Sequence, residues 1–230
     1  MQPSVLSGSG NAEKDWRVRL SLPPAATGFY RDSPLMAPLK DTDGMIFPVT
    51  PTIIVQNSAN YTPQELPHTN YPYYAYNNSR VDAMSIIGNF PVQNATEGQY
   101  WLASMHFLRT ASKMFFGEDE GYGLKGNPPP IFHLYGYGDH MFNKVPVIIN
   151  TFNVELRSGI DYISTQQSDV YRSDSNIDYQ QQDSTWAPTL STISVLVSPI
   201  YSRDSVKNFS MSKFVRGELN GKGANEIGFI

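Results

Sequence analysis

Trp16-Arg17-Val18-Arg19-Leu20-Ser21-Leu22 alternates strictly: Trp16, Val18, Leu20 and Leu22 fall on one side of an extended chain, Arg17, Arg19 and Ser21 on the other. Successive side chains leave opposite faces of a pleated strand, so a period of two marks a strand with one buried face. The pattern returns along the chain and predicts a mainly β protein, a β-sandwich or barrel with one flanking helix, long loops and a C-terminal arm. With no cysteine among 230 residues, the core is held by packing alone.

Pro23 and Pro24 end this first strand. Residues 25–43 then show no regular period, and a loop of that length in a compact domain is a candidate contact arm. The β-branched run Ile46-Phe47-Pro48-Val49-Thr50-Pro51-Thr52-Ile53-Ile54-Val55 predicts a strand from about Thr52, its prolines placing it at an edge or an entry. Residues 57–78, rich in Asn, Pro, Thr and Tyr, read as a hairpin whose tyrosines cover the sheet, in preference to a ligand platform. Residues 81–90 predict a strand with Met84, Ile86 and Phe90 on one face, closed by Pro91.

The helix is predicted from Asn94-Ala95-Thr96-Glu97 to about Phe116. Asn94 or Thr96 caps its first N–H groups, Glu97 meets the positive end of its dipole, and Gly117 ends it. Trp101, Met105, Leu108 and Phe115 form an apolar stripe, widened by Ala103, Phe107, Ala111 and Met114. Downstream, residues 131–138 predict a strand bent by glycines, and residues 145–156 a strand with Ile148, Phe152, Val154 and Leu156 on one face. Residues 164–185 predict an exposed loop. Ile193, Val195 and Val197 mark a last core strand, and residues 204–215 a short helix in the tail. The organisation is a flexible segment over residues 1–15, one domain over 16–200, and a C-terminal arm of that domain over 201–230.

A formal charge of −4 with interspersed signs argues against a protein built to grip nucleic acid. Residues 1–14 lack a secretory pattern and no stretch is apolar enough to cross a bilayer, so a soluble chain with no membrane partner is expected. No catalytic residue, cofactor or metal is predicted. His68, His106, His133 and His140 are widely separated, and the grouping of His133 with Asp139 and His140 reads as a polar turn rather than a zinc site. Glu118-Asp119-Glu120 is a consecutive acidic run, not a carboxylate pair across a cleft. Gly121-Tyr122-Gly123-Leu124-Lys125-Gly126 follows a helix and precedes prolines, which is not the strand-turn-helix setting of a phosphate loop.

Four blocks, in order, carry a likeness to a known family: Asn60-Tyr61-Thr62-Pro63 with His68-Thr69-Asn70-Tyr71; Asp82-Ala83-Met84-Ser85-Ile86; Tyr100-Trp101-Leu102-Ala103 through Phe116-Gly117; and Asn127-Pro128-Pro129-Pro130. Gly159-Ile160-Asp161-Tyr162-Ile163, Thr185-Trp186-Ala187-Pro188-Thr189 and Pro199-Ile200-Tyr201-Ser202-Arg203 continue it. From Trp16 to Gly217 the chain resembles the tail tube initiator and baseplate tube-adaptor proteins of contractile-tailed bacteriophages. That resemblance implies a tail-tube fold assembled as a homohexameric ring between the baseplate hub protein and the tail tube protein. It implies the tape-measure protein as a further partner, a lumen through which DNA passes without specific binding, and a place in the virion after assembly in the host cytoplasm.

A structural ring protein without catalysis is therefore the leading expectation. A major tail tube protein and a carbohydrate-binding β-module, the latter prompted by fourteen tyrosines, are the alternatives. Trp101, Met105, Leu108 and Phe115 are expected in packing or assembly, and Arg109, Lys113, Tyr201 and Arg203 are candidate intersubunit contacts. The lumen is expected to lean toward Asp and Glu, which repel phosphates.

Overall fold

The computed structural model describes residues 16–22, 34–116, 126–165, 185–223 and 226–230. In chain order the strands are β1 (Arg19–Ser21), β2 (Met45–Ile46), β3 (Thr52–Ile54), β4 (Asn57–Gln64), β5 (Tyr73–Val81), β6 (Met84–Pro91), β7 (Phe132–Gly136), β8 (Phe142–Leu156), β9 (Tyr162–Ser164), β10 (Trp186–Pro188) and β11 (Leu190–Pro199). The helices are α1 (Ala95–Ala111), α2 (Arg203–Lys207) and α3 (Met211–Val215), with a 3-10 helix at Pro34–Leu39. The protein is mainly β with one principal helix.

Seven strands form one antiparallel sheet in the order β2-β1-β7-β8-β11-β6-β3. Its two edge strands are consecutive in sequence. Laid flat, six inter-strand gaps would part them by about 29 Å, whereas the chain from Ile46 to Thr52 reaches at most about 21 Å. The sheet is therefore rolled, and because every pairing is antiparallel, β2 and β3 run the same way. Residues 45–54 thus act as one split strand that belongs to both edges of a barrel.

Pro48 and Pro51, which lack an N–H to give, sit in the split. Phe47 fills it. Its N–H donates to Val18 O (3.0 Å), and its ring lies over Gly88 of β6, where a Cβ would collide, and edge-on against Phe90 at 5.6 Å. Leu20, Met45, Ile86, Leu134, Val147, Ile193 and Val195 line the buried face of the sheet.

The register explains why β8 departs from expectation. Val197 pairs with Ile149 but Leu196 with Thr151, so Asn150 is an extra residue in the strand. A bulge shifts the period of two by one. Val145, Val147 and Ile149 are buried before it and Phe152 and Val154 face the core after it, while Ile148 drops off that face and Leu156 stands exposed.

Helix α1 is shorter than expected, ending at Ala111 with Ser112 as its C-cap. Asn94 Oδ1 accepts from Glu97 N (2.9 Å), and Glu97 Oε2 accepts from Gln93 N (2.8 Å), a reciprocal cap. Gly117 lies outside the described residues. Phe115 is nonetheless buried, because its N–H donates to Asn127 O (3.0 Å) and its carbonyl accepts from Gly126 N (2.7 Å), which turns the post-helical chain inward. Met114, expected on the stripe, is exposed.

The helix lies on the apolar side of the sheet. Phe107 meets Phe132 edge-on at 5.4 Å, and Trp101 Nε1 donates to Ser191 Oγ (2.8 Å). Pro34–Leu39 packs against the helix with Met36 and Leu39 buried, so this described part of the expected contact arm belongs to the core instead. Apolar burial within the chain outweighs reach. Residues 25–33 lie outside the described residues, as do 1–15 and most of the loop expected at 164–185.

The tail folds back rather than extending. Ile200 N donates to Pro146 O (2.9 Å), Asn143 Nδ2 to Asn220 O (2.8 Å) and Gly228 N to Lys144 O (3.2 Å). Tyr201 stacks on Phe229 with centroids 4.5 Å apart. The expected helix at 204–215 is two five-residue helices, α2 and α3. Between them Phe209 turns its ring toward Phe229 (5.3 Å), which breaks the helical path.

Candidate functional site

β4 and β5 continue β3 and β6 beyond the barrel as a ribbon of two strands, joined at its base by Asp82 N donating to Gln56 O (2.9 Å). The eight residues of β4 carry it about 26 Å outward. The ribbon is held by its own side chains: Asn60 Nδ2 donates to Asn78 Oδ1 (2.7 Å), Asn77 Nδ2 to Thr62 Oγ1 (2.6 Å), and Arg80 pairs with Asp82 at 2.8 Å.

Past Asn60 the register slips by one, so that Tyr61 faces Tyr76 and Pro63 faces Tyr74. Tyr61, Tyr74 and Tyr76 consequently share one side, with Tyr61 and Tyr76 in edge contact at 5.5 Å. They are 55–65% exposed, and Tyr71 at the turn is 83% exposed. The expectation that these tyrosines cover the sheet is corrected: the strands that carry them leave the barrel before the first tyrosine is reached. An uncharged aromatic face on a protruding ribbon is suited to burial against another molecule.

The helix residues read from sequence are in the core: Trp101, Met105, Leu108 and Phe115 are all buried. Arg109 and Lys113 are exposed, with Arg109 in the last turn of α1 and Lys113 just beyond it. Arg203 is exposed at the start of α2. Tyr201 is engaged inside the chain, its hydroxyl accepting from Ile230 N (3.3 Å), and burial pushes its pKa up to about 12.

The histidines stay apart. His133 lies half-buried on β7 against Tyr135, and burial, with Lys144 nearby, holds it below its ordinary value. Asp139 pairs with Lys222 at 3.3 Å, and His140 sits against Gly217. Burial and the adjacent Arg109 likewise lower His106.

Two features escaped the sequence reading. Tyr100 is fully buried, and its hydroxyl accepts from Ile46 N (2.8 Å) and donates to Ile46 O (3.2 Å), the backbone groups that point away from β1 at the split strand. Its position beside Trp101 was the available signal. The second is the exposed side of α2 and α3, where Val206, Met211 and Val215 face solvent.

Over β6, β11 and the half of β8 beyond Asn150, the opposite side of the sheet is open to solvent and almost uncharged. Cross-strand rows Asn89–Thr192–Glu155, Ile87–Ser194–Asn153 and Ser85–Leu196–Thr151 run over β6, β11 and β8. Thr192 Oγ1 donates to Asn89 Oδ1 (3.1 Å) and accepts from Arg157 Nη2 (3.0 Å), while Arg157 pairs with Glu155 at 3.5 Å. No protein-family model matches this chain, and no curated protein matches it.

Proposed function

We propose that this chain is a structural, ring-forming tail component: a tail tube initiator or adaptor that joins a baseplate hub to the tail tube as a homohexamer around a DNA channel. The observation that carries the reading is the tyrosine-faced arm, which stands about 26 Å clear of the body and has its aromatic side chains buried by nothing in the described chain. A lone two-stranded ribbon is marginal in water, and its two outer edges offer unpaired backbone groups to a neighbour. The rolled body joins its edge strands through residues 45–54, and among the described residues the arm and the half of β8 beyond Val147, which pairs only with β11, are the extended elements left to a neighbour.

The exposed sheet face supports the channel part of the reading. Serine, threonine and asparagine predominate there, and its one carboxylate is neutralised by Arg157, so a phosphate backbone finds neither a cationic anchor nor strong repulsion. With this face turned to the channel, the proposed lumen is neutral where the sequence reading expects Asp and Glu. The function is mechanical and needs no turnover. The hub protein and the tail tube protein are the proposed partners, with the tape-measure protein in the lumen.

A second reading rests on the same tyrosines, because Tyr61, Tyr74 and Tyr76 on one face also suit stacking against sugar rings. The test is electron microscopy of the purified protein alone and mixed with the hub and tube proteins of the same tail. Six-fold rings, formed alone or on the hub, are expected. A monomer that ignores both proteins and binds a polysaccharide through the arm would replace this reading with the carbohydrate module, and unlimited self-stacking into tubes without the hub would replace it with a major tube protein.

A further inference from the structure

A cleft of about 300 Å³ opens where the base of the arm meets the turn between β7 and β8 and the returning tail. Met141, Phe214, Leu219 and Phe229 give it apolar walls, and Asn57 and His140 stand among them as polar groups. Its volume falls at the lower end of the range for small-ligand sites.

The walls are fixed from outside the cleft. Asn143 Nδ2 donates to Asn220 O (2.8 Å), Gly228 N donates to Lys144 O (3.2 Å), and Lys222 pairs with Asp139 at 3.3 Å, which fastens the tail to the turn. At Gly228 a Cβ would collide with the carbonyl of Asn143, so the tail approaches as closely as only glycine allows. Phe229 stacks on Tyr201, and Phe214 packs on Phe209 at 5.6 Å. A site held in this way costs little ordering when it is filled.

At the far end of the arm, residues 65–72 join β4 to β5. His68 takes a left-handed φ of 62°, and Thr69 Oγ1 donates to Leu66 O (2.9 Å), so the tip is a set turn. Leu66 and Tyr71 stand exposed on it. Asn57 is both the first residue of β4 and part of the cleft wall. The tip therefore lies about 26 Å from the cleft of its own chain and cannot fill it.

We infer that the cleft receives the arm tip of a neighbouring copy, with Leu66 and the Tyr71 ring against its apolar walls and the Tyr71 hydroxyl at Asn57 or His140. A tyrosine brings apolar area and a hydroxyl that needs a partner once buried, and the cleft offers both. Between Asn57 and Ser79 the arm carries one acid, Glu65, and no Lys or Arg, so it is matched to an apolar cleft by burial rather than by charge. Tip and cleft are different surfaces of one chain, so their contact is head to tail and generates a ring when the rotation closes. The second copy as occupant rests on the ring reading, in which the arm is a contact element; the cleft is its receiving site.

The chain has no cysteine, so introduced pairs cross-link without background. Asn70→Cys, which keeps Tyr71, is mixed with Met141→Cys under mild oxidation, alone and on the hub protein, and Met114→Cys, exposed but outside the cleft, replaces Met141→Cys as the control. All three positions are exposed, and thermal melts confirm that each variant is folded. A disulfide needs Cα atoms within about 7 Å, so a disulfide to Met141→Cys is expected and none above background to Met114→Cys. Adding Leu66→Ser/Tyr71→Ser is expected to abolish it and to weaken self-association at least about tenfold, the range of lost interface anchors. Rings that form without the disulfide overturn the inference and leave the ring reading intact. The disulfide in dimers or open chains, never rings, supports the contact and removes the ring. A chain that stays monomeric alone and on the hub overturns both. Protection of Met141→Cys from a maleimide by the hub or tube protein, with no disulfide to Asn70→Cys, gives the cleft to that protein and overturns the inference.

Discussion

Tyr100 shows how much one hydroxyl carries. The split strand leaves the N–H and C=O of Ile46 without a strand partner, and the helix meets both with the same oxygen. Tyr100→Phe is expected to lower stability by about 1–3 kcal/mol, the cost of unsatisfied buried groups, read as a lower denaturant midpoint with an unchanged slope. The same residue sets an alkaline limit. Burial pushes its pKa from 10.0 up to about 12, so between these values the unfolded chain has released the proton and the folded chain has kept it. The unfolded state then binds fewer protons, and stability falls as pH rises through that window. Tyr201 adds to the loss with the same sign. Alkaline melts of Tyr100→Phe should slope less steeply between pH 10 and 12 than those of wild type.

At the scale of elements the arm is separable from the body, because its tyrosines pack on each other and not on the core. Replacing residues 61–77 with Asn-Gly is expected to shift the melting midpoint by only a few degrees, as for a change of well under about 1 kcal/mol, while abolishing ring assembly seen by electron microscopy. A large fall in the midpoint would place the arm in the core instead. The alternations Val18–Leu20, Met84–Ile86–Phe90 and Ile193–Val195–Val197 were legible because each keeps its period from end to end. β8 was misread because Asn150, one extra residue, changes the phase without altering the composition. The end of α1 was set too late because Phe115 is buried from an extended backbone after the helix stops. In the arm, sequence gave the tyrosines and the hairpin but not their exposure, since a tyrosine-rich period of two reads alike on a packed sheet and on a free ribbon.

For the whole molecule, the governing fact is that β2 and β3 are one strand shared by both edges. A body closed in this way leaves the half of β8 beyond Val147 paired on one side only, and the arm, the neutral sheet face and the outer side of α2 and α3 as distinct surfaces. Sequence left sandwich and barrel both open and did not show how the sheet closes, because Pro48 and Pro51 look like chain breakers until the strands on either side are seen to pair with opposite edges. The most direct measurement of the central claim is the mass of the complex formed when the full chain is titrated against the hub protein. The account predicts saturation at six copies, with a six-fold ring in images of the product. Saturation at one copy, or no binding while the chain remains a monomer, would contradict it.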